Sequence, residues 1–195
     1  IPIDLAQLGC TSASFSGHKI GAPKGIGALW CHPDWPIESL WPGHQERSRR
    51  PGTASVPLVA ALAKAMELAC QEQDIWARSV GAVRDYFEGE LARRIDRVRI
   101  NSKSVQRAPG TSHVSFEGIN APELVVALDL SGVAVSAGSA CSSGTAQPSA
   151  AIKAMGIGDS WLRGSVRFSL GPSISKSDID ETLKALALAL ARLRR

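Results

Sequence analysis

Lys19 is the first residue whose type and position could support covalent chemistry. It lies in the segment SFSGHKIGAPKG, a turn punctuated by glycine and proline. The apolar pattern places this turn between two short buried strands, around Phe15 and at 26–30. A lysine held against packed surface loses part of its hydration, which favours the neutral amine and frees it for Schiff-base formation. Residue types alone favour the simpler alternative, a solvated lysine in a surface loop.

Cys141 is the second candidate, because its surroundings differ from those of the other cysteines. It lies in VAVSAGSACSSGTAQPS, where most residues are too small to anchor a loop by burial. We therefore expect an exposed and mobile thiol, as a nucleophilic thiol should be. Cys10, Cys31 and Cys70 lie in or beside apolar segments, and a buried, inert thiol is the ordinary expectation for them.

Arg167 is the third candidate, since it interrupts the apolar alternation of SVRFSLG. An arginine within an apolar strand rarely lies there without a partner. It either pairs with an internal carboxylate or binds an anionic ligand, and the sequence favours neither alternative.

Metal and serine-hydrolase sites find no support in the spacing. The chain has no GxSxG motif, so a Ser-His-Asp hydrolase is not indicated. Several possible metal ligands occur early in the chain without the CxxC or HxxxH spacing of zinc sites, and we expect no bound metal. These residues are Cys10, His18, Cys31, His32 and His44.

The predicted order of helices and strands, which must position these residues, indicates a compact α/β or α+β unit. A long loop at 31–53 precedes a change of pattern, and we place a domain boundary near residue 50. Helical spacing then predicts one helix from residue 54 and a second one with its apolar face between Ile75 and Ile95. Further strands are predicted at 98–100, 113–116, 133–136 and 165–170, and further helices at 121–130, 148–155 and from the Ser175 capping box onwards.

Composition and charge exclude several classes of protein. The chain has 195 residues, of which 44% are hydrophobic, so it is not disordered, and four cysteines are too few for a disulfide scaffold. No apolar run is long enough to span a membrane. The net charge of +4 includes an arginine cluster at 47–50, but aromatic residues do not accompany it, so we expect no nucleic-acid partner. The start IPIDLAQLG is no signal peptide and reads as the inside of a domain.

Four segments in order resemble the group I cysteine desulfurases, the NifS/IscS-like branch of the class V aminotransferase family. They are SFSGHKIGAPKGIGAL, HQERSRRPGT, GVAVSAGSACSSG with PS and AMG after it, and VRFSLG. The resemblance covers almost the whole chain. It implies part of the fold type I of enzymes that depend on pyridoxal 5′-phosphate (PLP). Residues 1–50 would be the end of the large PLP-binding domain, and 51–195 the small C-terminal α/β domain.

The resemblance also implies roles for individual residues. Lys19 matches the lysine that holds PLP covalently, and Ser16 and His18 match residues that contact its phosphate. Thr53 matches a threonine that reaches the phosphate from the neighbouring subunit of a homodimer. Cys141 matches the nucleophile that takes sulfur from L-cysteine as a persulfide and leaves L-alanine.

Arg167 matches the arginine that pairs with the substrate carboxylate, for which its bidentate fork is suited. By this resemblance the protein is a cytoplasmic homodimer that passes persulfide sulfur to acceptor proteins, such as an iron–sulfur scaffold or a thiolation protein. The alternatives are a selenocysteine lyase or another class V PLP lyase, and a non-catalytic fragment that acts as an interaction module.

Two departures from the family pattern are local, and a third concerns half of the protein. Pro42 and Ser48 replace glycines of the arginine-rich loop, and GCTSAS replaces the usual GADLxS. The family's N-terminal half is absent, with the histidine that stacks on PLP and the aspartate that pairs with its pyridine nitrogen. We therefore expect this chain to be the C-terminal half, and to be a weak desulfurase by itself.

Overall fold

The computed structural model describes residues 1–137 and 150–194, and the chain divides into two compact units. The first unit is Ile1–Asp74 and the second is Ile75–Arg195. Cys141 and most of its small-residue segment lie outside the described residues. The domain limits of 1–50 and 51–195 stay a prediction.

The first unit contains a two-stranded antiparallel ribbon, formed by β1 (Ser12–Ser16) and β2 (Gly27–Cys31). Ser16 pairs with Gly27 at the end of the ribbon that leads into the turn. The two strands were expected to be buried, which is wrong: their residues are half-buried or exposed. A ribbon of two strands has too little surface of its own to bury both faces.

The long loop that follows β2 contains α1 (Gln45–Ser48) and leads to α2 (Val56–Arg94). Two helices were expected where α2 forms one continuous helix of 39 residues. The polar residues 71–74 interrupt the apolar stripe, but CQEQD contains neither proline nor glycine. The hydrogen-bond ladder therefore continues through this polar stretch.

The second unit is built on a four-stranded antiparallel sheet of order β3-β4-β6-β5. Its strands are β3 (Val98–Asn101), β4 (Thr111–Phe116), β5 (Ser136–Ala137) and β6 (Ser165–Ser169). The other helices are α3 (Ala121–Asp129), α4 (Ala150–Ala154), α5 (Asp159–Leu162) and α6 (Lys176–Leu193). Strands β3, β4 and β6 and helices α3 and α6 are confirmed, whereas β5 begins at Ser136, later than predicted.

One face of this sheet forms the core of the second unit. Val114 and Val166 pair across β4 and β6, and both are fully buried. Phe168 packs on Phe87 of α2 with ring centroids 4.8 Å apart. Helices α2, α3 and α6 complete the core with apolar side chains that include Leu91, Leu124, Leu128, Leu183, Leu186 and Leu190.

The predicted capping box at the start of α6 is confirmed. Asp178 donates its backbone N–H to Ser175 Oγ at 3.2 Å, and its carboxylate accepts from the Ser175 backbone N–H at 2.8 Å. These hydrogen bonds hold the pKa of Asp178 below its ordinary value. The cap fixes the start of the helix that covers the sheet.

Candidate active site

The turn that carries Lys19 is a 3₁₀ helix, Gly17–Ile20, at the end of the β1–β2 ribbon. Gly17 is buried, donates its N–H to the Ile26 carbonyl at 3.0 Å, and accepts from the Ala22 N–H at 3.0 Å. A Cβ atom at Gly17 would lie 2.9 Å from the Ile26 oxygen, so only glycine fits without a shift. Gly21 ends the turn at φ 89°, a left-handed conformation that favours glycine. Close backbone packing therefore fixes the shape of this turn.

Three polar residues of different chemistry lie close together in sequence at the Lys19 turn. Ser16 Oγ lies 3.0 Å from His18 Nδ1, so the hydroxyl and the imidazole are hydrogen-bonded. Lys19 follows directly and forms no ion pair within the described residues. Residues 11–31 contain two lysines and no Asp or Glu. The turn thus offers a nucleophilic amine beside hydrogen-bonding groups in an acid-free segment, a combination that suits an anionic carbonyl compound.

Lys19 itself is exposed, and the expectation that it lies against packed surface is wrong for this chain. The reason is local, because the turn lies at the end of a ribbon whose strands are themselves half-exposed. Nothing in the described part of the first unit desolvates the amine.

Thr53 lies at the end of the arginine-rich loop, in the same unit as the Lys19 turn. It is exposed, as are Arg47, Arg49 and Arg50. Gln45 Oε1 accepts from the Gly52 N–H at 3.2 Å, which closes the loop over α1. The structure describes a single chain, so a role for Thr53 across a subunit interface stays a prediction.

The turn α1 within this loop is left-handed. Glu46, Arg47 and Ser48 have φ angles of 51°, 58° and 61°. Residues with a Cβ atom adopt this region at a cost of roughly 1–2 kcal/mol each. Ser48 stands where the resemblance expects a glycine, so the substitution falls on a position where glycine would be relaxed.

Arg167 lies in the second unit, in the middle of β6, between its register partners His113 on β4 and Ser136 on β5. It is half-buried, and its Nε atom is buried without a hydrogen-bond partner among the described residues. No described carboxylate forms a salt bridge with it. Of the two alternatives left open by the sequence, binding of an external anion is therefore the better supported.

His113 belongs to a row of polar side chains that the sequence did not predict. The other members of this polar row are Asn101, Ser115 and Ser165. Burial lowers the pKa of His113, and the nearby Arg167 charge lowers it further. Its Nδ1 lies 2.8 Å from Asn101 Nδ2. In TSHVSF, the polar residues His113 and Ser115 alternate with Val114 and Phe116. This alternation could have indicated that His113 shares a face of the sheet with Arg167.

The structure thus brings Ser16, His18 and Lys19 together on one turn, with Thr53 in the same unit and Arg167 in the other. Within residues 1–137 and 150–194, no group of three or more His, Cys, Asp or Glu side chains could hold a metal ion. None of the described helices is long and apolar enough to cross a membrane.

Comparisons with known proteins agree on one family. Residues 1–182 match the family described as Aminotransferase class-V. Over its 195 residues the chain is 37% identical to the cysteine desulfurase IscS of Dictyoglomus turgidum, of which it covers 50%. It is 36% identical to a cysteine desulfurase of Nostoc, of which it covers 49%.

The solved structures agree with this result. A NifS-like protein superposes with a TM-score of 0.85 at 30% identity, over 99% of this chain and 50% of the other. A NifS-like protein from Rickettsia africae superposes with a TM-score of 0.86 at 28% identity, over 98% and 50%. The mixed α/β class is confirmed. The chain spans about half the length of the curated relatives it matches.

Proposed function

Because the chain belongs to the aminotransferase class-V family, we propose that it is the C-terminal half of a PLP-dependent cysteine desulfurase. The observation that carries this proposal is the Lys19 turn, an acid-free segment that holds an amine and a hydroxyl hydrogen-bonded to an imidazole. The similarity to proteins named cysteine desulfurase extends over the whole chain, which supports the same assignment.

The residues of the Lys19 turn fit PLP. The cofactor has an aldehyde, which a lysine amine can bind, and a phosphate, which hydroxyl and imidazole groups can bind by charge-assisted hydrogen bonds. Lys19 would hold the aldehyde carbon, and Ser16 and His18 would hold the phosphate, joined by Thr53 of a second subunit. When bound, PLP withdraws electrons from the substrate Cα.

Arg167 would bind the carboxylate of L-cysteine, since it is half-buried and its Nε lacks an acceptor among the described residues. Lys19 Nζ, once free, would move a proton at the substrate Cα.

Cys141 would act as a thiolate on the substrate sulfur. A bond forms between Cys141 Sγ and the substrate sulfur, while the bond between that sulfur and the substrate Cβ breaks. The electron pair of the broken bond stays with the substrate carbon, which takes up a proton to give L-alanine. L-cysteine and the Cys141 thiol thus become L-alanine and a Cys141 persulfide, with every atom accounted for.

The remaining part of the desulfurase is needed for efficient turnover in this proposal. Lys19 is exposed, and the strands beside it are only half-buried. The complete protein would be a cytoplasmic homodimer that hands its persulfide sulfur to an acceptor protein such as an iron–sulfur scaffold.

The test is formation of L-alanine from L-cysteine in the presence of a thiol reductant. We expect robust turnover by the full-length protein, weak turnover by the 195-residue chain, and loss of turnover in Cys141→Ser. Cys70→Ser is the matched control, because Cys70 is an exposed cysteine on helix α2. Full activity of Cys141→Ser would contradict the proposal, and robust turnover by the chain alone would contradict its need for the other half.

A further inference from the structure

In the polar row beside Arg167, each hydrogen bond has a definite donor and acceptor, and these roles are set by a backbone carbonyl at one end of the row. Ser165 Oγ donates its hydrogen to the Trp161 carbonyl at 3.3 Å. A hydroxyl has one hydrogen, so Ser165 must accept in its other contact, with Ser115 Oγ at 2.8 Å. Ser115 is therefore the donor of that hydrogen bond.

The same reasoning assigns the donor and acceptor roles of Asn101, which is buried. Ser115 has spent its hydrogen and must accept from Asn101 Nδ2, which lies 2.8 Å away. The second hydrogen of the Asn101 amide points to His113 Nδ1, at 2.8 Å from the same nitrogen. With Ser165 donating to Trp161, the reversed amide would present an oxygen to Ser115, whose hydrogen is already engaged; in the orientation given, Asn101 Oδ1 has no described partner.

The tautomer of His113 follows from this chain. Its Nδ1 accepts from Asn101, so in the neutral ring the proton lies on Nε2. The lowered pKa of His113, caused first by burial and then by the Arg167 charge, agrees with a neutral ring. Within the described residues, Nε2–H has no hydrogen-bond acceptor.

Two residues that each carry an N–H donor without a described acceptor are thus neighbours on the sheet. His113 and Arg167 are direct register partners on β4 and β6, and directly opposite residues share one face of a sheet at a Cβ separation of roughly 5 Å. Arg167 Nε is buried and lacks an acceptor among the described residues. Buried donors are normally satisfied, so Arg167 Nε is suited to an acceptor from outside these residues.

We propose that His113 is a second binding residue for the substrate carboxylate, which accepts from its Nε2–H beside the Arg167 guanidinium. The assignment rests on the proposed function, in which Arg167 binds that carboxylate. The carboxylate would then accept from one neutral donor, the His113 imidazole, and one charged donor, the Arg167 guanidinium. A neutral imidazole avoids a second positive charge directly opposite Arg167, and the Asn101 hydrogen bond holds the ring in one orientation.

The first experiment reads the ring directly. Nitrogen-15 correlation spectra of the chain at pH 7 should show His113 as the neutral Nε2–H tautomer. Addition of L-alanine, which carries the same carboxylate as the substrate, should shift the Nε2–H resonance, and ethylamine should not. An Nδ1–H tautomer, an imidazolium at pH 7, or a resonance that ignores L-alanine would overturn the proposal.

The second experiment separates binding from turnover in the full-length protein. His113→Phe keeps a ring but loses the donor, and it should raise KM for L-cysteine roughly tenfold with kcat nearly unchanged. His113→Gln places an amide N–H near the position of Nε2 and should restore most of the affinity. The matched control is His32→Gln, because His32 is exposed and lies in the first unit.

The outcomes distinguish this inference from the proposed function. An unchanged KM in a folded His113→Phe variant, together with a raised KM in Arg167→Ala, would overturn the role of His113 and leave the desulfurase assignment intact. Absence of any L-alanine formation by the unmodified full-length protein would refute the proposed function. The L-alanine titration would still decide whether His113 binds a carboxylate.

Discussion

The two units of this chain differ in the size of the buried apolar core that lies beside their candidate site residues. In the first unit, Ala22 and Leu62 are the buried apolar side chains among the described residues. Several of its large apolar side chains are exposed, with exposed fractions of 84% for Leu40 and 65% for Trp41. The second unit has a continuous core of sheet and helix residues, beside which Arg167 is held.

This difference shows that different interactions hold the two parts of the candidate site in place. The Lys19 turn keeps its shape through backbone hydrogen bonds and the fit of Gly17, with little burial around it. The Arg167 row is held by strand register and by a core on the opposite face of the sheet. Substitutions in the two units should therefore have very different effects on stability.

The largest effect is expected from a matched pair of leucine truncations. Leu91→Ala removes a fully buried side chain of the second unit and should lower the free energy of unfolding by about 4 kcal/mol, because a cavity remains. Leu29→Ala removes a side chain that is 61% exposed in the first unit and should change it little. Urea unfolding followed by circular dichroism measures both. Equal losses would contradict the contrast between the units.

The next effect comes from a buried ion pair in the second unit. Glu88 accepts from Arg107 at 2.6 and 2.9 Å and from Ser112 at 2.7 Å, and its side chain is 3% exposed. Glu88→Gln leaves the Arg107 charge without its partner and should lower the free energy of unfolding by about 3 kcal/mol. The control is Glu67→Gln, which removes one partner of the exposed pair with Lys64 in the first unit. An equally large loss in the control would contradict this explanation.

The Glu88 pair also predicts a dependence on pH. Burial raises the pKa of Glu88, but the hydrogen bonds from Arg107 and Ser112 together hold it below the ordinary 4.5. The contribution to stability is therefore present above pH 4.5 and is lost as the pH falls through the folded-state pKa. Glu88→Gln should remove this part of the acid sensitivity.

A smaller and opposite effect is expected in the arginine-rich loop. Ser48→Gly should stabilise the loop by about 1 kcal/mol, because φ at this position is 61° and glycine adopts it without strain. Arg49→Gly is the matched neighbour, with φ at −98°, and should give no such gain. Resistance of the loop to limited proteolysis reports the difference. Equal protection in both variants would show that left-handed strain is not its cause.

The smallest effect concerns His113, whose pKa burial and then Arg167 hold below the ordinary 6.5. The unfolded chain takes up this proton at a higher pH than the folded chain does. The contribution is thus complete above pH 6.5 and declines as the pH falls through the folded-state pKa. Urea unfolding between pH 7.5 and 5 should show a shallower decline for His113→Gln than for the unmodified chain.

Local signals in the sequence predicted the elements that depend on neighbouring residues. The alternation of TSHVSF and SVRFSLG predicted strands, and Ser175 with Asp178 predicted the start of α6. The continuity of α2 was missed, because a polar interruption of the apolar stripe does not interrupt backbone hydrogen bonds.

The features that the sequence did not predict depend on distant residues. The Glu88 pair joins residues 19 and 24 positions apart, and Asn101 meets His113 only through the register of β3 and β4. The exposure of Lys19 follows from how many strands flank its turn, which the residues of the turn itself do not encode. The roles of Ser16, His18, Lys19, Thr53 and Arg167 stay predictions, as does that of Cys141.

The most direct test of the account is a map of where PLP attaches. The full-length protein would be incubated with PLP, reduced with borohydride, weighed intact and digested for peptide mapping. The account predicts one stoichiometric adduct on Lys19, unchanged in Lys24→Ala and lost in Lys19→Ala. Labelling spread over Lys24 and other lysines, or no stoichiometric adduct, would contradict it.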